Sequence, residues 1–482
     1  MMKLNRKNTG NETLLPIKVV QFGEGNFLRA FVDYAFQKLN QEAGFKAGIA
    51  VVQPIDRGLV PLLKQQDGLY TLFMKGIKKG IEIQEKELIT NIVKSIDPYT
   101  DPLGYLELAK ETELAFIVSN TTEAGIAYDP SDLLEMRPPS SFPAKLTQLL
   151  YKRYQHFKGA KDKGVYIIPC ELINHNSDTL REIMVKYISD WKLEGEFQTW
   201  LLENCSFHNT LVDRIVPGYP KDEIDSYNEQ LDYSDSLIVA AEAFFLWVVE
   251  GNERLRNTLP FHKTSLDVKI VGDMQPYRTR KVRILNGAHT AMVPFSTMYG
   301  NKTVRETVMD PFTGGFIEET VFGEIIPTLD MDRQELGDFA AEVFDRFRNP
   351  FISHQLSSIA LNSISKFKVR VLPSLLEYVK TYSKVPINLS FSLACLIRFY
   401  KGNWENAALP VQDDPTIVFF FAETWKLESY DAIAQGILGN KGLWDEDLND
   451  VEGLTKAIAI ALRALEDHGV EEGYARYKKQ LK

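Results

Sequence analysis

The stretch from Ile17 to Gln53 constrains the fold more than any other part of the chain. Residues 17–22 (IKVVQF) form a short apolar run, which predicts a buried strand. The run leads into Gly23-Glu24-Gly25, where residues without a Cβ allow a sharp turn. A helical apolar stripe from Asn26 stops near Gly44, and residues 48–53 (GIAVVQ) predict a second buried strand. The order strand, glycine turn, helix, strand predicts one βαβ unit of a parallel sheet, which binds ligands at the carboxyl ends of its strands.

Two further apolar runs fit the same sheet, and polar residues follow each of them. Residues 114–119 (LAFIVS) precede Asn120-Thr121-Thr122-Glu123, and residues 164–169 (GVYIIP) precede Cys170-Glu171. Because parallel strands present their carboxyl ends at one edge, these side chains are expected to face a cofactor or substrate. Extra, partly antiparallel strands are predicted within the ranges 69–73 and 80–88.

The pattern changes after about residue 180, where helical spacing dominates. A last strand is predicted at 267–271, and the domain boundary is placed near residues 265–280. Helices are predicted at 180–191, 197–204, 236–250, 281–299, 303–325, 333–348, 350–365, 369–381, 388–401, 415–424, 428–438 and 451–468.

Composition excludes several classes of protein. With 482 residues, 44% hydrophobic and 25% charged, the chain suits two or three globular domains. A net charge of −10, spread along the chain, argues against nucleic-acid binding. Without a long apolar run or an apolar N-terminal leader, neither membrane insertion nor secretion is expected, so a cytoplasmic protein is predicted. Three scattered cysteines and seven histidines show no metal-ligand spacing, so no metal site is expected.

The glycine turn is a candidate dinucleotide site, because a strand–GxG–helix offers a diphosphate close backbone approach and free N–H groups. Leu28 replaces the third glycine of the usual fingerprint, so a plain tight turn is the alternative. Asp56 comes too late in the sequence to match the acidic residue that usually binds the ribose, and Gln53 lies nearer the end of the strand. The sequence therefore does not decide between NAD and NADP. The candidate cofactor-binding residues are Gln21, Phe22, Gly23, Glu24, Gly25, Asn26, Phe27, Leu28, Arg29, Asn120, Thr121 and Glu123.

A second candidate site is residues 281–289 (KVRILNGAH). At about 100° per helical residue, Lys281 and His289 lie about 80° apart, and Asn286 neighbours His289. One broad face then presents an amine, an amide and an imidazole, which suits ketone reduction because the reaction needs a proton donor and a group that stabilises an alkoxide. Taken alone, the same residues also fit a solvated lysine, a helix-bonded asparagine and a core histidine. Gly287 inside the helix indicates close approach of another element.

These motifs together resemble the polyol-specific long-chain dehydrogenases, the family of the mannitol dehydrogenases and the hexuronate-pathway reductases. The shared marks are GEGNFLRAF at 23–31, VDRI at 212–215, and Lys-x4-Asn-x2-His at Lys281, Asn286 and His289. The likeness to the hexuronate-pathway reductases extends from about residue 15 to 465. Its stretches are 21–33, 119–126, 143–147, 167–173, 209–216, 284–291 and 410–414.

The resemblance implies an α/β fold: an N-terminal Rossmann-type NAD-binding domain with inserted strands over residues 1–270, and a mostly α-helical substrate-binding and catalytic domain over 271–482. It implies interconversion of D-altronate and D-tagaturonate with NAD and without a metal. Lys281 would be the general acid and base, Asn286 would hold the alkoxide oxygen, and His289 would orient substrate hydroxyls. The alternatives are a fructuronate reductase, a mannitol-type polyol dehydrogenase, a metal-dependent dehydrogenase, and a dinucleotide-binding regulator without turnover.

The sequence departs from the mannitol dehydrogenases at Leu172, where they carry an asparagine that helps to bind the oxyanion. Leu172 donates no side-chain hydrogen bond, so Asn286 alone, Asn174 or a water is expected to serve. A sugar-acid substrate also needs a cation for its carboxylate. The candidates are Lys366 and Lys368, which lie just before Arg370, and Arg348, and the sequence does not choose among these three side chains. It also leaves the oligomeric state open.

Overall fold

The computed structural model describes residues 2–121 and 124–481. The chain divides into two compact units. The first comprises residues 1–75 and 82–274, and the second comprises residues 76–81 and 275–482.

The first unit is built on a six-stranded parallel sheet with the order β3-β2-β1-β4-β5-β6. This is the doubly wound order in which ligands bind where the strand order reverses, here between β1 and β4. The strands are β1 (Ile17–Phe22), β2 (Gly48–Val52), β3 (Ile92–Ile96), β4 (Phe116–Ser119), β5 (Tyr166–Pro169) and β6 (Ser206–Phe207). The predicted Rossmann-type α/β fold is therefore confirmed.

Both faces of this sheet are buried, as the continuous apolar strands require. Val19 of β1 packs into a core that includes Phe36, whereas the next residue, Val20, packs into a second core that includes Leu146. Alternate residues thus serve opposite faces, since side chains alternate along a strand. The helices around the sheet are α1 (Asn26–Ala30), α2 (Val32–Ala43), α3 (Phe142–His156) and α4 (Asn176–Asp190), with shorter or later helices at Val60–Gln65, Pro102–Glu107, Gly195–Asn204, Ile224–Asn228 and Glu253–Thr258.

The helix predicted at 236–250 is wrong, because this segment forms two strands. Val239–Glu242 pairs with Tyr70–Lys78, which also neighbours Ile81–Ile89. Leu246–Glu250 pairs with Thr210–Asp213 and Val268–Val271. The segment is apolar on all sides, and such a run fits a buried strand as well as a buried helix.

Residues 275–481, which make up most of the second unit, form helices and the loops between them, apart from two-residue strands at Asn403–Trp404 and Ala407–Ala408. The helices used below are α5 (Gly287–Tyr299), α6 (Arg333–Phe347), α7 (Ser363–Arg370) and α8 (Ile387–Phe399). The others are Gln275–Arg280, Lys281–Asn286, Val304–Met309, Pro311–Thr320, Val321–Ile325, Leu356–Ile359, Leu372–Tyr382, Pro415–Thr424, Tyr430–Leu438, Lys441–Trp444, Leu454–His468 and Val470–Leu481.

Two of the predicted helices in this unit are interrupted. The helix predicted at 303–325 breaks at Asp310, whose side chain caps a new helix with Pro311 in its first turn. The helix predicted at 350–365 is reduced to Leu356–Ile359 before α7 begins at Ser363. In both places local capping and turn chemistry override the apolar periodicity.

Candidate functional site

The glycine turn after β1 has the geometry of a backbone cradle. Gly23 adopts φ +122°, and its N–H donates to the Val52 carbonyl at 3.0 Å. A Cβ at Gly23 would lie 2.8 Å from Leu28 Cδ1 and 3.1 Å from the Asn120 carbonyl oxygen. A Cβ at Gly25, by contrast, would meet nothing within 4 Å. The first glycine therefore permits the turn, and the second leaves open space beside the start of α1.

Two buried arginines donate hydrogen bonds to the glycine turn and to the helix α1 that follows it. Arg29, predicted to contact the cofactor, is 1% exposed and donates to the Glu24 carbonyl, Asn26 Oδ1 and the Leu237 carbonyl. Arg214, from the VDRI stretch, donates to the Ala30 carbonyl at 2.6 Å, and burial lowers its pKa to about 10. Arg29 therefore shapes the turn through the backbone, and the sequence missed Arg214 as a supporting residue because its partner lies 184 positions away.

The ends of β4 and β5 are joined by side chains. Glu171 accepts hydrogen bonds from Ser119 Oγ and from the Thr121 N–H and hydroxyl, at 3.0–3.1 Å. Asn120 Nδ2 donates to the Cys170 carbonyl at 2.8 Å. Burial raises the pKa of Glu171, and the hydrogen bonds from residues 119 and 121 oppose that rise. The structure thus brings the predicted strand-end residues together, whereas Glu123 lies outside the described residues.

A cavity of about 560 Å³ opens beside the ends of β2 and β4. Its lining comes from the segments that follow these two strands and from the start of α3: Pro54, Ile55, Thr121, Ala124, Gly125, Ala127, Tyr128, Asp129, Pro130, Ser140, Ser141 and Phe142. The crevice of a doubly wound sheet holds a dinucleotide at this edge. With the open space at Gly25, these residues would be able to hold a dinucleotide.

The end of β2 carries hydrogen-bond acceptors where many such sheets carry one acidic residue. Gln53 donates through Nε2 to the Ile55 carbonyl at 2.9 Å, and its buried Oε1 has no partner in the described residues. Glu24 turns toward the same loop and accepts from the Leu59 N–H at 3.3 Å. Burial raises the pKa of Glu24. Asp56 is exposed on this loop. The acceptors suit ribose hydroxyls better than the phosphate of NADP.

The second unit presents the Lys-x4-Asn-x2-His motif on a helix that changes type. Lys281–Asn286 is a π-helix, and the Gly287 N–H donates to the Val282 carbonyl, five residues back. From Gly287 the chain continues as the α-helix α5. The expected α-helical angle between Lys281 and His289 is therefore wrong, because the π segment turns less per residue.

Asn286, His289 and Thr290 share one face at this junction, since they lie three and four residues apart. Lys281, Asn286 and His289 are each half-buried. The His289 ring packs against Phe347, with centroids 4.4 Å apart, and against His354, with centroids 5.0 Å apart. The sequence did not single out Thr290 or His354, although Thr290 directly follows the motif.

The three candidate carboxylate-binding cations and the neighbouring Arg370 differ in their surroundings. Lys368 pairs with Asp445 at 2.9 Å, and Arg348 approaches Asp345 at 3.8 Å. Lys366 donates to the Ile359 carbonyl at 2.8 Å. Arg370 contacts the Thr290 hydroxyl at 3.4 Å.

The departure at Leu172 is visible at the end of β5. Leu172 is 64% exposed, and Asn174 is exposed two residues later. Asn176 is fully buried and donates to the Pro169 and Glu171 carbonyls, so its amide supports the start of α4. Of the two nearby asparagines, only Asn174 presents its side chain to solvent.

Within residues 2–121 and 124–481, no three His, Cys, Asp or Glu side chains gather as a metal site. Over the same residues, we find no helix with the length and apolarity to span a bilayer.

Comparison with known proteins places the chain in a family. The model of the mannitol dehydrogenase Rossmann domain matches residues 17–263, and that of the mannitol dehydrogenase C-terminal domain matches residues 273–466. The chain therefore belongs to the mannitol dehydrogenase family.

Curated relatives match along their whole length. A Bacillus subtilis protein named altronate oxidoreductase is 47% identical over 99% of this chain and 98% of its own length. Proteins of the same name from Yersinia enterocolitica and Escherichia coli are each 44% identical, over 99% and 98% of this chain and 100% and 99% of their own lengths.

Two solved structures share the fold at low identity. A substrate-free D-sorbitol dehydrogenase matches with a TM-score of 0.81 and 20% identity, covering 98% of this chain and 100% of its own. The Pseudomonas fluorescens mannitol 2-dehydrogenase in complex with NAD and D-mannitol matches with a TM-score of 0.66 and 21% identity, covering 99% and 100%. At this identity the likeness supports the fold.

Proposed function

We propose that this chain is an NAD-dependent oxidoreductase that interconverts D-altronate and D-tagaturonate. The observation that carries the proposal is the full-length identity of 44–47% to relatives named altronate oxidoreductase. The family's Rossmann domain and the acceptors at the end of β2 support NAD as the cofactor. Activity in the cytoplasm is proposed because all three cysteines are buried free thiols, which are common in a reducing compartment.

The proposed reaction is D-tagaturonate + NADH + H⁺ ⇌ D-altronate + NAD⁺. When bound, the nicotinamide supplies or accepts the hydride. The protein must then supply a proton to the ketone oxygen and stabilise its developing negative charge. In this proposal the Lys281 ammonium gives the proton during reduction, and its amine takes the proton back during oxidation. Asn286 donates a hydrogen bond to the same oxygen, and His289 orients a neighbouring hydroxyl.

The proposed division of labour follows the two predicted domains, 1–270 and 271–482. The first binds the dinucleotide through the backbone of the glycine turn and the residues after β4. The second binds the sugar acid through the face that carries Asn286, His289 and Thr290. The proposal needs neither nucleic acid nor a membrane as partner, and its chemistry needs no metal.

The test follows NADH absorbance with purified protein, with and without a chelator. D-Tagaturonate, D-fructuronate and D-fructose are each supplied with NADH, and D-mannitol is supplied with NAD⁺. We expect a preference for tagaturonate that the chelator leaves unchanged. Lys281→Ala should lower kcat by about 10²–10⁴-fold, the range of general acid catalysis. Lys380→Ala, an exposed lysine paired with Glu377, is the matched control. Full activity of Lys281→Ala would refute the mechanism, and a preference for another sugar would refute the substrate.

A further inference from the structure

Arg370 is a half-buried cation with unused hydrogen-bonding capacity. A guanidinium has five N–H donors. Among the described residues, the Arg370 guanidinium donates a hydrogen bond from Nη1 to Thr290 Oγ1, at 3.4 Å. Burial lowers the pKa of Arg370, and among residues 2–121 and 124–481 no acidic side chain acts in the opposite direction. Partly buried charges are costly unless they are paired. The surroundings of Arg370 therefore suit an anion that the protein itself does not provide.

The end of α7, which carries Arg370, lies close to the helix that carries the motif. Arg283 donates through Nη1 to the Val369 carbonyl at 2.6 Å. The Arg370 carbonyl oxygen lies 3.3 Å from the point that a Cβ at Gly287 would occupy. The glycine thus lets the end of α7 approach the helix that carries the motif. Burial lowers the pKa of Lys366, four residues earlier on α7; the charge of Arg370 lowers it further, and Asp413 acts in the opposite direction.

The contact with Thr290 places the guanidinium beside the motif. Thr290 lies one turn beyond Asn286 on the same face of α5, a rise of about 6 Å. In an open-chain 2-keto hexuronate, four C–C bonds separate the ketone carbon from the carboxylate carbon, which is about 5 Å when extended. A substrate with its ketone at Asn286 would thus carry its carboxylate to the level of Thr290 and Arg370.

We infer that Arg370 binds the carboxylate of the sugar-acid substrate and so selects it over neutral polyols. The inference rests on the proposed function and names the recognition group for that substrate class. Arg370 suits the role because its planar fork of donors matches a carboxylate in two parallel hydrogen bonds. Lys368 and Arg348 suit it less, since each already approaches an acidic side chain.

The experiment compares wild type, Arg370→Met and Arg370→Lys, with Arg476→Met as control. Arg476 is an exposed arginine of the same unit that pairs with Glu472. KM and kcat are measured for D-tagaturonate with NADH. Dissociation constants for D-altronate and its neutral counterpart D-altritol are measured by calorimetry on the NAD-loaded enzyme, and thermal melts verify that the variants fold.

For Arg370→Met we expect a rise of about 10- to 100-fold in the KM for tagaturonate and in the altronate dissociation constant, as for a lost charge-assisted hydrogen bond. Altritol affinity should stay within about twofold, because no carboxylate is involved. Arg370→Lys should recover part of the loss, since it restores the charge without the fork. Arg476→Met should behave as wild type.

Unchanged altronate affinity in Arg370→Met would overturn the inference while leaving the proposed function intact. Equal losses for altronate and altritol would also overturn it, because they would mark a general distortion of the site. If wild type prefers neutral polyols to every sugar acid, the proposed function fails, and the inference fails with it. If Arg370→Met does not fold, the same comparison on Arg370→Lys decides the matter.

Discussion

The close approach at Gly287 makes a measurable prediction. Gly287 has α-helical angles, φ −63° and ψ −49°, so alanine fits its backbone and should gain about 0.5–1 kcal/mol of helix stability. The new Cβ would lie 3.3 Å from the Arg370 carbonyl oxygen and 3.6 Å from the Val282 carbonyl oxygen. Overpacking of this kind typically lowers the free energy of unfolding by about 1–3 kcal/mol. We therefore expect Gly287→Ala to be neutral or destabilising by up to about 2 kcal/mol.

Gly337 provides the matched control, because it also lies inside a helix, α6, and a Cβ there would meet nothing within 4 Å. Gly337→Ala should stabilise by the full helix gain. The two variants should thus differ by about 1–3 kcal/mol in unfolding free energy, with Gly337→Ala melting higher by roughly 2–4 °C per kcal/mol. The assay is thermal melting together with the KM for tagaturonate, which only Gly287→Ala should raise. If both alanines stabilise equally and neither changes KM, the close approach does not constrain the site.

Two further predictions concern the cofactor cradle and pH. Gly23→Ala should lower the free energy of unfolding by about 1–3 kcal/mol, because alanine is strained at φ +122°, and should raise the KM for NADH at least about tenfold. Gly44→Ala is the control: alanine is also strained there, at φ +63°, but no atom lies within 4 Å of the new Cβ, so the KM for NADH should stay unchanged. Equal KM values in the two variants would contradict a role for the turn. Burial raises the pKa of Glu324 from 4.5 to about 7, although its carboxylate accepts hydrogen bonds from the Asn388 and Leu389 N–H groups. Between pH 4.5 and 7 the folded chain therefore holds a proton that the unfolded chain releases. Stability should therefore fall as pH rises from 4.5 to 7, and Glu324→Gln should flatten this part of the melting profile; an unchanged slope would show that Glu324 does not titrate there.

The parallel sheet was predictable because its strands are continuous apolar runs. β1 matches the prediction to the residue, and β4 and β5 fall inside their predicted runs. Periodicity failed at 236–250, where an apolar segment lacks the polar face that would separate strand from helix. It also missed α3, although this helix is amphipathic and begins with a Ser141 cap.

The candidate site was predictable only where its residues are close in sequence. The glycine turn and the motif at 281–289 are local, and their side chains could be named from spacing. The hydrogen bond from Arg370 to Thr290 joins residues that are 80 positions apart in the sequence, and the hydrogen bond from Arg214 to the Ala30 carbonyl joins residues that are 184 positions apart. Such pairings are set by the packing of whole helices and sheets, which no local pattern records.

The motif spacing itself has a structural explanation in the π-helix. In an α-helix, residues five apart lie about 140° from each other around the axis, so Lys281 and Asn286 would face different directions. A π-helix closes its hydrogen bonds between residues five apart, which returns the fifth residue close to the first. The Asn-x2-His part then falls at the α-helical spacing of three, at the point where α5 begins. A gap of five followed by a gap of three therefore converges on one face only if the helix type changes at Asn286, as it does here. Because π segments are rare and occur frequently at functional sites, this change of helix type supports the proposal that Lys281 and Asn286 act together.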